Sequence, residues 1–276
     1  MKQRWLVAVL GIPFILAVFL LCPPWATMLL ICAIAGVAAW ELLRVTEKAV
    51  KKSVCFITIV FAVTLVAGVF AYAQGRLRVA ALFGIAWLLI MLLFLVAVLS
   101  YGRENAVSFA AVCAGIVGGI VFPMMYSCVL LLRMRGSFGR LYVLLPFAVA
   151  FAGDSLAMYF GMWFGKTKMA PLVSPNKTWA GFWGSLLGSS AGMLLMGLIG
   201  AKWLGYSPNY FFLALTGIAA NLAGQLGDLS TSLIKREHGV KDYSRLFLTH
   251  GGVLDRFDST LFIAPVLFFF VHGGLI

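Results

Sequence analysis

The sequence predicts an all-α, polytopic integral membrane protein with about nine transmembrane helices and a cytoplasmic N-terminus. Three observations predict it. The 276 residues are 63% hydrophobic and 11% charged, less than half the charge of a soluble domain, and the mean hydropathy is +1.03. Apolar residues come in long runs rather than in alternation or in a one-sided stripe, and runs of about 18 or more read as membrane spans. Lysine and arginine fall unevenly among the loops between those runs.

The runs lie near 5–22, 25–40, 54–73, 79–100, 107–132, 141–164, 179–200, 211–234 and 259–275. Lys2 and Arg4 precede the first, but Cys22-Pro23-Pro24-Trp25 is a poor cleavage site for a leader and suits a tight turn between two spans. Gly115, Gly118 and Gly119 in the fifth run allow close helix approach, and Pro123 predicts a kink. Gly184, Gly188 and Gly192 make a small-residue ladder on the seventh. With the N-terminus inside, cytoplasmic loops hold fifteen of the 21 basic residues and the opposite loops six. That is the positive-inside asymmetry, and it predicts N-in, C-out. The net charge of +12 thus reads as topology rather than nucleic-acid binding. Five cysteines sit in or beside apolar runs with no CxxC pair, as small buried hydrophobes.

One membrane domain over 1–276 is expected, in two halves of different character. Residues 1–140 read as scaffold, with lipid-facing or dimer helices. Residues 141–276 read as the catalytic half, with six of the nine acids in two polar segments, 154–178 and 221–258.

On the eighth run, Asn221, Gln225, Asp228, Ser232 and Lys235 recur at steps of four and three, which keeps them on one helix face. A polar stripe in a membrane helix needs a partner or a water-filled cavity, and Asp228 with Lys235 at its loop end favours a cavity. Asp255 and Asp258 stand three apart, so on a helix their carboxylates point the same way. Two such acids repel unless a cation joins them. Mg²⁺ is commonly held by carboxylates on neighbouring turns, with substrate phosphates completing the shell. Capping of the last helix is the plainer reading, but it leaves Arg256 and His250-Gly251-Gly252 without a purpose. Asp228, Asp255 and Asp258 are therefore the candidate metal ligands.

Lys235, Arg236, Lys241 and Arg245 lie between these acids, and cations beside a metal suit a polyphosphate. Such a cluster is otherwise a solvated loop on lipid headgroups. Gly251 and Gly252 let backbone N–H groups approach phosphate oxygens. Asp154 is a lone acid in an apolar run, which is a functional hypothesis by default. Ser174, Asn176, Lys177 and Thr178 make either a phosphate contact or an ordinary loop with a positive-inside lysine. Gly161 to Lys166 is one residue short of a P-loop, and no strand precedes it. HExxH, GxSxG and a soluble nucleotide-binding domain are absent.

The stretch Ser232-x-Ile234-Lys235-Arg236-x4-Lys241-Asp242-x-Ser244-x2-Phe247, followed by His250-Gly251-Gly252-Val253-x-Asp255-Arg256-Phe257-Asp258, resembles the signature of the CDP-diacylglycerol synthase (phosphatidate cytidylyltransferase) family. Gly153-Asp154-Ser155 and Ser174-Pro175-Asn176-Lys177-Thr178 are similar to that family's upstream segments. The resemblance is strongest over 150–260. It departs at Leu248, where the family has Pro or a small residue, and at Thr249, commonly Gly. It departs again at Ala180 and Ser185, where Glu and then glycines follow SPNKT.

The resemblance implies Mg²⁺-dependent transfer of CMP from CTP to phosphatidic acid, giving CDP-diacylglycerol and pyrophosphate for phospholipid biosynthesis. It implies Asp228, Asp255 and Asp258 as metal ligands, for two divalent ions or one divalent and one monovalent. Lys235, Arg236, Lys241 and Arg256 would then neutralise phosphates. Ser232, Asp242, His250, Gly251 and Gly252 would contact the nucleotide or support the groups that do. Asp154 would line the cavity, which Asn176 and Lys177, flanked by Ser174 and Thr178, would close. A homodimer in the cell (inner) membrane is implied, with its active site facing the cytoplasm. Two rivals are a CTP-dependent lipid kinase, attacking the γ-phosphorus, and a transporter with intramembrane carboxylates. The latter predicts polar residues spread over several spans and often a repeat, whereas here they gather in one half. The DGxxAR…GxxxD…D pattern of CDP-alcohol phosphotransferases is absent.

Overall fold

A computed structural model describes residues 2–46, 51–246 and 251–276, with side chains from residue 11 onward. In hydrocarbon a chain must satisfy its own backbone N–H and C=O groups, so long apolar runs become helices. Seven helices among the described residues are long and apolar enough to cross a membrane. These are Pro24–Thr46 (α2), Lys52–Ala73 (α3), Val79–Ser100 (α4), Phe109–Arg133 (α5), Gly139–Phe164 (α6), Trp179–Leu204 (α7) and Tyr210–Glu237 (α8). Lys2–Leu20 (α1) precedes them and Leu254–His272 (α9) follows. Every apolar run expected from the sequence is thus a helix, in a polytopic architecture.

Helix ends depart from the apolar runs where polar residues find partners. α2 continues past residue 40 to Thr46 and takes in Glu41, which is fully buried. α9 starts at Leu254, so Asp255, Arg256 and Asp258 stand in its first turns rather than in the preceding loop.

By its internal contacts the chain forms two compact units. One comprises Met1–Leu131 and Glu237–Phe257, the other Leu132–Arg236 and Asp258–Ile276. In the first, Leu43, Val54, Leu89, Leu93 and Val112 form an apolar core. Gly115 and Gly119 of α5 face Leu93, Leu89 and Thr58, and Gly118 lies against the backbone of Ala39. Just before Pro123 the helix is not regular α: Val117–Val121 forms a π-helical turn, the kind of local widening that accommodates a proline ring which would clash with the carbonyl four residues back.

In the second unit the glycine ladder of α7 faces α6. A Cβ on Gly184 would lie 2.8 Å from the Leu156 carbonyl oxygen, one on Gly192 would lie 2.9 Å from that of Ala148, and one on Gly188 would collide with that of Ala152. Gly217 places α8 against the Ser189 carbonyl, and Gly224 and Gly227 bring α8 against Ile263 and Phe262 of α9. Small residues let these backbones touch, the main source of association between helices that share an apolar solvent. Between α6 and α7 the chain makes a feature the all-α expectation did not include. Lys168–Ala170 (β1) pairs antiparallel with Ser174–Thr178 (β2), Lys168 opposite Thr178 and Ala170 opposite Ser174.

Candidate functional site

In the second unit the β-ribbon and the loop end of α8 bring charged residues together. Lys177 Nζ lies 2.6 Å from Asp228 Oδ2, the two side chains being 23% and 30% exposed. Ser232, one turn along α8, donates to Asp228 Oδ1 at 3.3 Å. Arg236 Nε donates to the Val173 carbonyl at 3.3 Å and so fastens the ribbon's turn to the same helix. Asp154 of α6 interacts electrostatically with both Asp228 and Lys177. Thr178 closes the ribbon as the N-cap of α7, accepting from Gly181 N at 3.1 Å. Lys235 is buried, at 7% exposure.

The polar face of α8 therefore has two parts. Its inner end is a hydrogen-bonded helix–helix seam. Ser185 of α7 donates to Asn221 Oδ1 at 2.9 Å, and Gln225 Nε2 donates to Ser185 Oγ at 2.6 Å and to Asn221 Oδ1 at 2.8 Å. Its loop end, from Asp228 onward, carries the ionic groups.

In the first unit, described residues on either side of 247–250 meet Asp255 in the first turn of α9. Asp255 Oδ2 accepts from Tyr243 N at 2.8 Å and from Gly252 N at 2.9 Å. Gly251 makes this possible with a φ of 78°, in the region that disfavours side chains. Upstream, Lys241 and Asp242 line a cavity of about 850 Å³ with Arg44, His238 and Arg245. In the other unit, Asp258 Oδ1 accepts from Ser259 N at 2.7 Å. His250 lies outside the described residues.

Residues 2–273 match the model of the cytidylyltransferase family. The chain belongs to that family. Among the relatives of this cytidylyltransferase-family member, a "Phosphatidate cytidylyltransferase" of Staphylococcus epidermidis is 40% identical over 176 residues, which is 62% of this chain and 64% of the relative. The protein of that name from Staphylococcus haemolyticus is 42% identical over 129 residues, 47% and 48% of the two chains. That from Staphylococcus aureus is 39% identical over 176 residues, 62% and 64%. The matched part thus spans less than two thirds of the relatives' own length.

Within this family member, Asp228, Lys177, Ser232 and Asp154 fall into one cluster, and Gly252 meets Asp255 at the start of α9. Asn176 is exposed on β2, Ser174 is half-buried beside it, and Arg256 is exposed on α9. Among the described residues no three His, Cys, Asp or Glu side chains gather as a metal-binding group. The donor chemistry nonetheless fits a hard divalent cation. Mg²⁺ ordinarily takes one or two carboxylates and completes its shell from substrate phosphates and water. Asp228 is a carboxylate paired with the Lys177 ammonium at 2.6 Å.

Sequence reasoning missed Glu41. It lies on α2, in the half assigned to scaffold, yet its carboxylate bonds to the loop that carries the family signature. The signal was available: an acid followed directly by leucines at the end of an apolar run, by the same rule that singled out Asp154.

Proposed function

We propose that the protein is a phosphatidate cytidylyltransferase, transferring CMP from CTP to phosphatidic acid with release of pyrophosphate. The observation that carries this reading is the family match over residues 2–273, reinforced by relatives about 40% identical that bear that name. The residues suit the chemistry. A phosphate oxygen of phosphatidic acid is already an anionic nucleophile, so no general base is required. It attacks the α-phosphorus of CTP, a new P–O bond forms, and the bond to the β-phosphate bridging oxygen breaks as pyrophosphate leaves. The obstacle is repulsion between two anions, which cations relieve.

In this reading Lys177, Lys235, Arg236, Lys241 and Arg256 neutralise phosphates, with Arg236 also holding the ribbon. Ser174, Asn176 and Thr178 fix the ribbon over the site, and Ser232 orients Asp228. Asp242, Gly251, Gly252 and His250 contact the nucleotide or shape its loop, while Asp154 adds to the acidic cluster. Asp228, Asp255 and Asp258 are the candidate Mg²⁺ ligands, each a carboxylate beside which substrate phosphates and water would complete the ion's shell. When bound, the ion supplies positive charge to the α-phosphoryl group and to the leaving pyrophosphate. All nine helices cross the membrane, α1 and α9 included, and the polar loops face the cytoplasm.

The test uses full-length protein in detergent with phosphatidic acid and CTP labelled at either the α- or the γ-phosphate, with and without Mg²⁺. Label enters lipid from the α position alone, and only with Mg²⁺. Transfer of the γ-label would instead make the protein a lipid kinase, and transfer of neither would end the enzyme reading.

A further inference from the structure

Glu41 is 0% exposed, and three donors from a segment two hundred residues away in sequence converge on its carboxylate. Ser244 Oγ donates to Oε1 at 2.5 Å, Val253 N to Oε1 at 2.9 Å, and Leu254 N to Oε2 at 2.7 Å. The two amides lie at the start of α9, where backbone N–H groups have no partner within the helix. A carboxylate placed there also meets the positive end of the helix dipole. Ser244 in turn accepts from Leu246 N at 3.2 Å, so the acid fastens the loop at two points. Gly252 is fitted to it as well. The three atoms nearest to a Cβ built on Gly252 are Oε1, Cδ and Oε2 of Glu41, the closest in collision.

A buried acid is costly unless its hydrogen bonds are complete, and apolar packing could join α2 to this loop more cheaply. What an acid adds is direction. Its two oxygens fix where the first amides of α9 point, and therefore where the next two side chains, Asp255 and Arg256, emerge.

We propose that Glu41 is a positioning residue for the transfer reaction, setting the first turn of α9 from behind without touching substrate. The inference rests on the cytidylyl-transfer reading, so its test begins by establishing α-label transfer by the parent protein. Glu41→Gln keeps the shape but replaces one acceptor oxygen with a donor, which then faces an N–H.

The expected result is a kcat lower by about 10–100-fold, the loss typical when groups behind reacting residues are changed. KM for both substrates stays within about threefold of the parent, since neither is touched. Yield and monodispersity are preserved, and amide hydrogen exchange quickens at Val253 and Leu254 but not along the rest of α9. Glu41→Asp, with both acceptor oxygens retained, recovers part of the lost kcat.

A Glu41→Gln protein with kcat within about twofold of the parent overturns the proposal while leaving the enzyme reading intact. So does a variant whose only defect is a smaller folded fraction with unchanged kcat per folded molecule. A parent protein that transfers no α-label overturns the reading beneath it.

Discussion

Asp255 is asked for two things that need different chemistry from one side chain. Its Oδ2 caps the loop by accepting from Tyr243 N and Gly252 N, which requires only an acceptor. Its proposed role beside cations and phosphates requires a charge. Asp255→Asn separates them, because an amide oxygen can take both backbone bonds but carries no charge. The Asn variant is expected to fold at parental yield, with CTP-dependent transfer reduced by about 10²-fold or more. Asp255→Ala loses the loop bonds too, at about 1–2 kcal/mol of stability, as for a lost helix cap. Turnover and thermal melting in detergent read the two effects. Near-parental turnover in the Asn variant would confine Asp255 to capping. The Lys177–Asp228 pair makes a similar point. A partly exposed pair contributes about 1 kcal/mol or less to stability, so stability alone is a weak reason to place a lysine on that acid.

At the scale of elements, the second unit is organised by glycines that let α6, α7 and α8 meet backbone to backbone. Gly188→Val would push a side chain into the Ala152 carbonyl, and the two helices would have to separate. The expected cost is about 1–3 kcal/mol, seen as a lower melting temperature in detergent. Gly84→Ala is the control. Nothing lies within 4 Å of a Cβ there, so the added methyl should be neutral or slightly stabilising, as for Gly to Ala within a helix. Equal melting temperatures for the two variants would mean that the ladder is not a packing face.

The same glycines mark what could be read in the sequence. The helices and the ladder were legible because apolar length and small-residue spacing are local signals. The end of α2 was not, because the apolar run stops at Glu41 and the three partners that satisfy the acid inside the helix lie far away in sequence. The start of α9 was legible in part: Asp255 and Asp258 were read near it on one helix face, but the Glu41 carboxylate that accepts from its first amides lies on α2. The ribbon at 168–178 was also missed, because strands of three and five residues carry too little pattern. Of the candidate site, the shared polar face of α8 was legible. The division of that face into a seam at Asn221 and Gln225 and an ionic end at Asp228 depended on Ser185 and Lys177, which lie far away in sequence.

At the scale of the whole molecule, the arrangement of basic residues makes a claim about sides. α7 has 26 residues, about 39 Å at 1.5 Å per residue, enough to cross a hydrocarbon core of about 30 Å. Leu172, in the turn of the ribbon before it, is 89% exposed, and Ser207, in the loop after it, is exposed as well. The positive-inside rule puts Leu172 with Lys166, Lys168 and Lys177 in the cytoplasm and Ser207 outside. In the proposed reading, the site built on Lys177 and Asp228 opens on that cytoplasmic side. In a variant lacking the five native cysteines, Ser207→Cys should react with a membrane-impermeant maleimide on intact cells, and Leu172→Cys only after permeabilisation. The reverse pattern would turn the molecule over and put the candidate site on the side without nucleotide. The proposed reaction would then fail even if every side chain stood where it does now.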